Sequence, residues 1–83
     1  MKYKEGEFVV VRDDCDKLNI PNWEWSESYD VILGKEVEIE EIILSSQYYN
    51  VVFEGKKYAL KDIEIVGVSN RQFSFIGNIE ELL

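Results

Sequence analysis

The densest set of groups able to do chemistry is Asp13-Asp14-Cys15-Asp16, three carboxylates around the single cysteine. A thiol attacks as its thiolate, and adjacent carboxylates disfavour that anion, so Cys15 reads as unreactive. Asp14-x-Asp16 begins like a calcium loop but lacks the later glycine and distal glutamate that complete an EF-hand. The cluster reads as a polar loop. There is no histidine, which removes the commonest general base and metal ligand, and with it any Ser-His or Cys-His nucleophile. Seventeen carboxylates could supply a glycosidase-type pair, yet no spacing singles one out. The expectation is a non-enzyme without metal or cofactor.

Residues suited to binding are better represented. Trp23 and Trp25 stand two apart in a loop, with Tyr29 following. Large aromatics bury most of their area, so they read first as a lid over one end of the core. Trp and Tyr also dominate binding hot spots, which makes the same loop a candidate recognition surface. Both roles together would place one tryptophan in the core and leave the other exposed.

The elements that position these residues read as strands. In residues 35–66, Val37 and Ile39 alternate with Glu36, Glu38 and Glu40, and Tyr49, Val51 and Phe53 share a face. A two-residue period is the mark of a half-buried strand. Glu54-Gly55-Lys56 between two such runs predicts a hairpin, and Tyr58 and Leu60 return on the next strand. Glu40-Glu41 before Ile42-Ile43-Leu44 breaks the period, which predicts a bulge near Glu41. Lys61-Asp62 reads as a single turn before Ile63 and Ile65. The first strand, Phe8-Val9-Val10-Val11, is apolar on both faces, so Phe8 and Val10 need a cover. Residues 13–34 form a long irregular loop with the one proline, Pro21. Residues 67–83 read as an extension, with Arg71 to Ile76 as an extra strand and Asn78 and Glu81 opening a short helical turn. That extension is the simplest cover for Phe8 and Val10.

Composition sets the outer limits. Eighty-three residues with 46% hydrophobic and 13% aromatic content make one folded domain. Nine basic against seventeen acidic residues give a net charge of −8, which disfavours direct contact with nucleic acid. Ten of the carboxylates lie in residues 13–41, opposed by Lys17 and Lys35. A single cysteine, no apolar leader and no membrane-length apolar run suggest a cytoplasmic protein without membrane association.

The runs Gly6-Glu7-Phe8-Val9-Val10-Val11, Gly34-Lys35-Glu36-Val37-Glu38-Ile39, Tyr49-Asn50-Val51-Val52-Phe53-Glu54-Gly55 and Leu60-Lys61-Asp62-Ile63-Glu64 resemble those of the SH3-like small β-barrels, especially small bacterial and phage domains, and more loosely the KOW type. The resemblance implies a mostly all-β fold: a five-stranded barrel over residues 1–66, with a long loop after the first strand and the C-terminal extension packed on the same domain. It also implies a ligand surface on the long loop and nearby turns, here Trp23, Trp25, Tyr29 and Tyr48, with Asp14 and Asp16. Tyr48 joins them because it points opposite to Tyr49. The expected function is a small binding module that docks a basic protein partner through these aromatics, with Asp13, Asp14 and Asp16 steering the approach. The alternatives are a phage-type inhibitor whose acidic face occludes a nucleic-acid enzyme or defence system, and a sponge for a small ligand. Self-association through the C-terminal extension is compatible with each.

Overall fold

The computed structural model describes residues 1–69. Five antiparallel strands form one sheet in the order β4-β3-β2-β1-β5. They are β1 (Phe8–Val11), β2 (Glu36–Ile43), β3 (Tyr48–Phe53), β4 (Lys56–Leu60) and β5 (Ile65–Val68). The expected alternation decides the inner face. Val9, Val11, Val37, Ile39, Tyr49, Val51, Tyr58 and Leu60 are buried, and the carboxylates of Glu38 and Glu40 are exposed. Phe53 is half-buried against the same core. Phe8 and Val10 are half-buried on the other face of β1. Their expected cover, the strand and helical turn of the C-terminal extension, lies outside the described residues.

The bulge falls where the period breaks. Ile39 pairs with Val51 while Glu41 pairs with Asn50, so Glu40 is the extra residue on β2. The insertion turns Glu40 and Glu41 both to solvent and brings Ile42 back opposite the buried Tyr49. Displaced in this way, Glu40 meets Lys57 Nζ across the sheet at 2.9 Å.

The β3–β4 hairpin closes through Glu54 and Gly55, with φ of 49° and 81°. Positive φ at both loop positions is the turn whose twist matches the flanking strands. Gly55 adopts it freely, whereas Glu54 carries the Cβ penalty of a left-handed residue. Glu54→Asn is therefore expected to raise stability by about 0.5–1 kcal/mol, read as a higher midpoint in urea denaturation.

Residues 61–64 carry the chain from β4 to β5, which stand at opposite ends of the sheet order. Five flat strands would hold those edges about 19 Å apart. A linker containing a 3-10 turn, at about 2 Å rise per residue, falls short of that distance, so the sheet must coil. No ladder joins β4 to β5 among the described residues, and the sheet stays open along that seam. The linker departs from the sequence expectation. Asp62–Glu64 is a 3-10 helix, and its tighter rotation reverses the two-residue rhythm. Ile63 is consequently 51% exposed, while Glu64 is buried at 1%. β5 then continues through Gly67 to Val68, beyond the boundary at residue 66.

The long loop is tied down at two points. The 3-10 helices Cys15–Lys17 and Glu27–Ile32 insert Cys15 and Ile32 into the core, where both are essentially unexposed. The second helix begins at Ser26, whose side chain accepts from the Ser28 N–H. No helix among the described residues is long and apolar enough to cross a membrane.

Candidate functional site: an aromatic corner beside a polar cleft

Trp23 is placed by a short β-bridge to Ile20, closed around Pro21 and Asn22, the latter at φ 60°. Its indole N–H donates to Glu64 Oε1 at 2.8 Å. The same oxygen accepts from the Lys61 N–H at 2.8 Å, which ties the loop to the 3-10 turn before β5. Tyr48 lies against Trp23 with ring centroids 5.8 Å apart. Lys61 Nζ sits 4.7 Å from the centre of the Trp23 ring and donates to the Ser46 carbonyl at 3.2 Å. A cation over an indole face and a shared acceptor beneath its N–H fix the ring's orientation. Burial pushes the Glu64 carboxyl above its ordinary range, against the opposing pull of the Lys61 N–H, the Trp23 indole and the Lys61 charge.

The other loop aromatics form a separate group. Trp25 meets Tyr29 edge to face at 5.4 Å, and Tyr29 meets Tyr58 likewise at 4.8 Å. Trp25 Nε1 donates to Asp30 Oδ1 at 2.6 Å, and the Tyr29 hydroxyl accepts from the Ala59 N–H at 3.1 Å. This stack covers the edge of β4. The expected division into one core and one exposed tryptophan does not hold, since both are half-buried. The reason is that each indole N–H needs an acceptor, and both find a carboxylate at the protein's margin.

The acidic cluster is likewise divided. Asp14 takes two bonds from Arg12, from Nε and Nη2, each at 2.9 Å. The Arg12 hydrogen bonds hold the Asp14 carboxyl below its usual range. Asp13 and Asp16 remain exposed. Cys15 lies inside, its thiol donating to the Glu64 carbonyl at 3.4 Å. Burial, then the charges of Glu64 and Asp14, push its pKa up to about 12. A neutral, enclosed thiol should resist alkylation. Iodoacetamide is expected to label Cys15 only as fast as the protein opens, and labelling in denaturant-free buffer at the rate of a free thiol would contradict this placement.

Next to the corner, Met1, Gln47, Lys61, Asp62 and Ile63 line a cleft of about 310 Å³. Gln47 adopts φ 56° at the end of the β2–β3 turn. Asp62 Oδ1 accepts a short hydrogen bond from the Tyr49 hydroxyl, which also accepts from the Tyr3 N–H at 3.1 Å. No family model, curated protein or solved structure matches this chain.

The geometry thus brings Trp23 and Tyr48 together, sets Trp25 and Tyr29 apart from them, and leaves Asp13 and Asp16 at the surface. Sequence reasoning missed Glu64, Lys61, Asp62 and Gln47. Glu64 follows Ile63 and precedes Ile65, a pattern that reads as an outward strand position, so burial of its carboxylate left no trace in the periodicity. Among the described residues no three of His, Cys, Asp and Glu converge as metal ligands would.

Proposed function

We propose that this protein is a small non-catalytic binding module that docks a protein partner at the Trp23–Tyr48 corner. The observation that carries the reading is the immobilised Trp23. Its N–H is held by Glu64, one face by Lys61, and its ring remains half-exposed beside Tyr48. A rigid aromatic at the surface supplies contact area at little entropic cost, the property that makes Trp and Tyr hot spots. The resemblance of the sequence to SH3-like barrels supports the same reading, since the ligand surface it implies lies on the long loop and the turn at Tyr48. Net charge of −8 favours a basic partner and would speed its approach. The inhibitor reading draws less support from the acidic face. Asp14 is paired with Arg12, Glu40 with Lys57, and Glu41 accepts from Asn50 at 3.1 Å, so several of these charges are engaged within the chain.

The test uses a partner captured by the intact chain from native host extract. Tyr48→Ala removes one wall of the corner and leaves the Glu64–Trp23 bond in place. It should weaken binding by about 30-fold, the size of a typical hot-spot loss. Asp13→Asn with Asp16→Asn should slow association and flatten its salt dependence while leaving dissociation unchanged. Full retention of affinity in Tyr48→Ala and in Trp23→Phe would remove the corner from the interface.

A further inference from the structure

β4 and β5 end the sheet order, and the outer edge of such a strand is a template for another strand. β5 is four residues long, and its ladder to β1 shifts register between Val10 and Val11, so its edge is short and kinked. β4 is different. Its register against β3 runs unbroken from Lys56 to Leu60. In an antiparallel ladder, alternate residues turn their N–H and C=O away from the paired strand. The Ala59 N–H goes to the Tyr29 hydroxyl at 3.1 Å, which makes Ala59 and Lys57 the outward residues of β4. Lys56 and Lys57 are exposed, and their charges deter pairing along the first half of the strand. Tyr58, Ala59 and Leu60 carry no charge, and there the long loop takes over. The Tyr29 ring meets Trp25 on one side and Tyr58 on the other, each edge to face. Asp30 holds Trp25 at 2.6 Å, and buried Ile32 anchors the helix Glu27–Ile32 in the core.

We propose that residues 25–32 are a strap that closes the second half of the β4 edge against a second copy of this chain. Opening the strap switches the protein to self-association by strand pairing. The Tyr29 hydroxyl occupies an outward amide that an incoming strand needs, and the Trp25 and Tyr29 rings fill the space in which that strand would lie. A second copy supplies a matching edge, because two β4 strands can pair about a two-fold axis. Centred on Tyr58, the antiparallel pair sets Lys57 of each copy opposite Ala59 of the other, outward residue to outward residue. The lysines then face alanines and not each other, so like charges do not oppose the pairing directly. The strap gives Trp25 and Tyr29 a task separate from the Trp23–Tyr48 corner.

Sedimentation velocity of the full chain across a wide concentration range tests this. Tyr29→Ala removes the ring and the hydroxyl, and should associate reversibly about tenfold or more tightly than the parent. Ala59→Pro on that background removes the outward N–H, which the β3 ladder does not use, and should return the association to the parent's level. Tyr29→Phe keeps the rings and frees only the Ala59 amide, so it decides even if Tyr29→Ala folds poorly. Its association should also exceed the parent's and yield to Ala59→Pro. Self-association of the parent through another surface would add equally to every variant and leave these differences intact. Two results would overturn the proposal. One is association equal to the parent's in both Tyr29 variants. The other is association that Ala59→Pro leaves untouched, which would trace it to loss of the fold and not to the β4 edge.

Discussion

Tyr49→Ala is expected to remove a large part of the chain's stability, seen as a much lower midpoint in urea. Tyr49 is fully buried on β3, between Ile42 of β2 and Leu60 of β4 in the ladder. Its ring meets Tyr3 edge to face at 5.8 Å, and its hydroxyl joins the N-terminal segment to Asp62 of the 3-10 turn. Truncating a buried aromatic of this size costs about 3–5 kcal/mol, against a total stability of about 5–15 kcal/mol for a domain. Tyr49→Phe separates the two contributions. It keeps the packing and removes the hydroxyl, leaving the Tyr3 N–H and Asp62 without their partner, at a cost of about 1–3 kcal/mol. Urea denaturation followed by circular dichroism measures both. A phenylalanine variant as stable as the parent would show that the two hydrogen bonds contribute nothing. The hydroxyl also titrates late. Burial, then the Asp62 hydrogen bond, raise its pKa from 10.0 to about 12. The folded value lies above the unfolded one, so the associated stability is complete below pH 10 and is lost as pH rises through about 12.

Strands β2, β3 and β4 were legible because each alternates between a buried and a more exposed face. Val37 and Ile39 between glutamates, Tyr49 and Val51, and Tyr58 and Leu60 each declare an inside, and the burial follows those pairs. The turn at Glu54-Gly55 and the bulge at Glu40 were legible for a related reason, since each interrupts a clean period. The 3-10 turn at Asp62–Glu64 was not. Three residues are too few to express a helical period, and the chain around them reads as continued alternation. The error there was a full exchange, with Ile63 outside and Glu64 inside.

The site was legible in part and for a definable reason. Aromatic residues in an irregular loop announce a packing or binding role by type alone, so Trp23, Trp25, Tyr29 and Tyr48 could be named. Their grouping depends on contacts between elements far apart in sequence: Trp23 with Glu64, and Tyr29 with Ala59. Such pairings carry no local pattern. The acidic cluster shows the converse problem. Asp13, Asp14 and Asp16 are alike in sequence, and Arg12, two residues away from Asp14, selects that one alone for a bidentate pair.

Glu64 should make the protein more stable in mild acid than at neutral pH. Its carboxyl is buried and its folded pKa lies above the ordinary 4.5, chiefly through burial. Only the charged form bears that penalty. The penalty is therefore absent below pH 4.5 and grows as pH rises through the folded value. Melting temperature should accordingly rise as pH is lowered through the folded value toward 4.5. Release of net negative charge acts in the same direction, so the variant decides the attribution. Glu64→Gln keeps an oxygen for Trp23 Nε1 and the Lys61 N–H and removes the charge, and should flatten the pH profile and match or exceed the parent at neutral pH. Glu64→Ala loses both hydrogen bonds as well, leaves their donors without an acceptor, and should cost about 2–3 kcal/mol. It should also free the Trp23 ring, read as a red-shifted and more quenchable tryptophan emission. If the glutamine variant keeps the parent's pH slope, the dependence belongs to the surface carboxylates, and Glu64 holds its proton no more tightly in the native protein than in the unfolded chain.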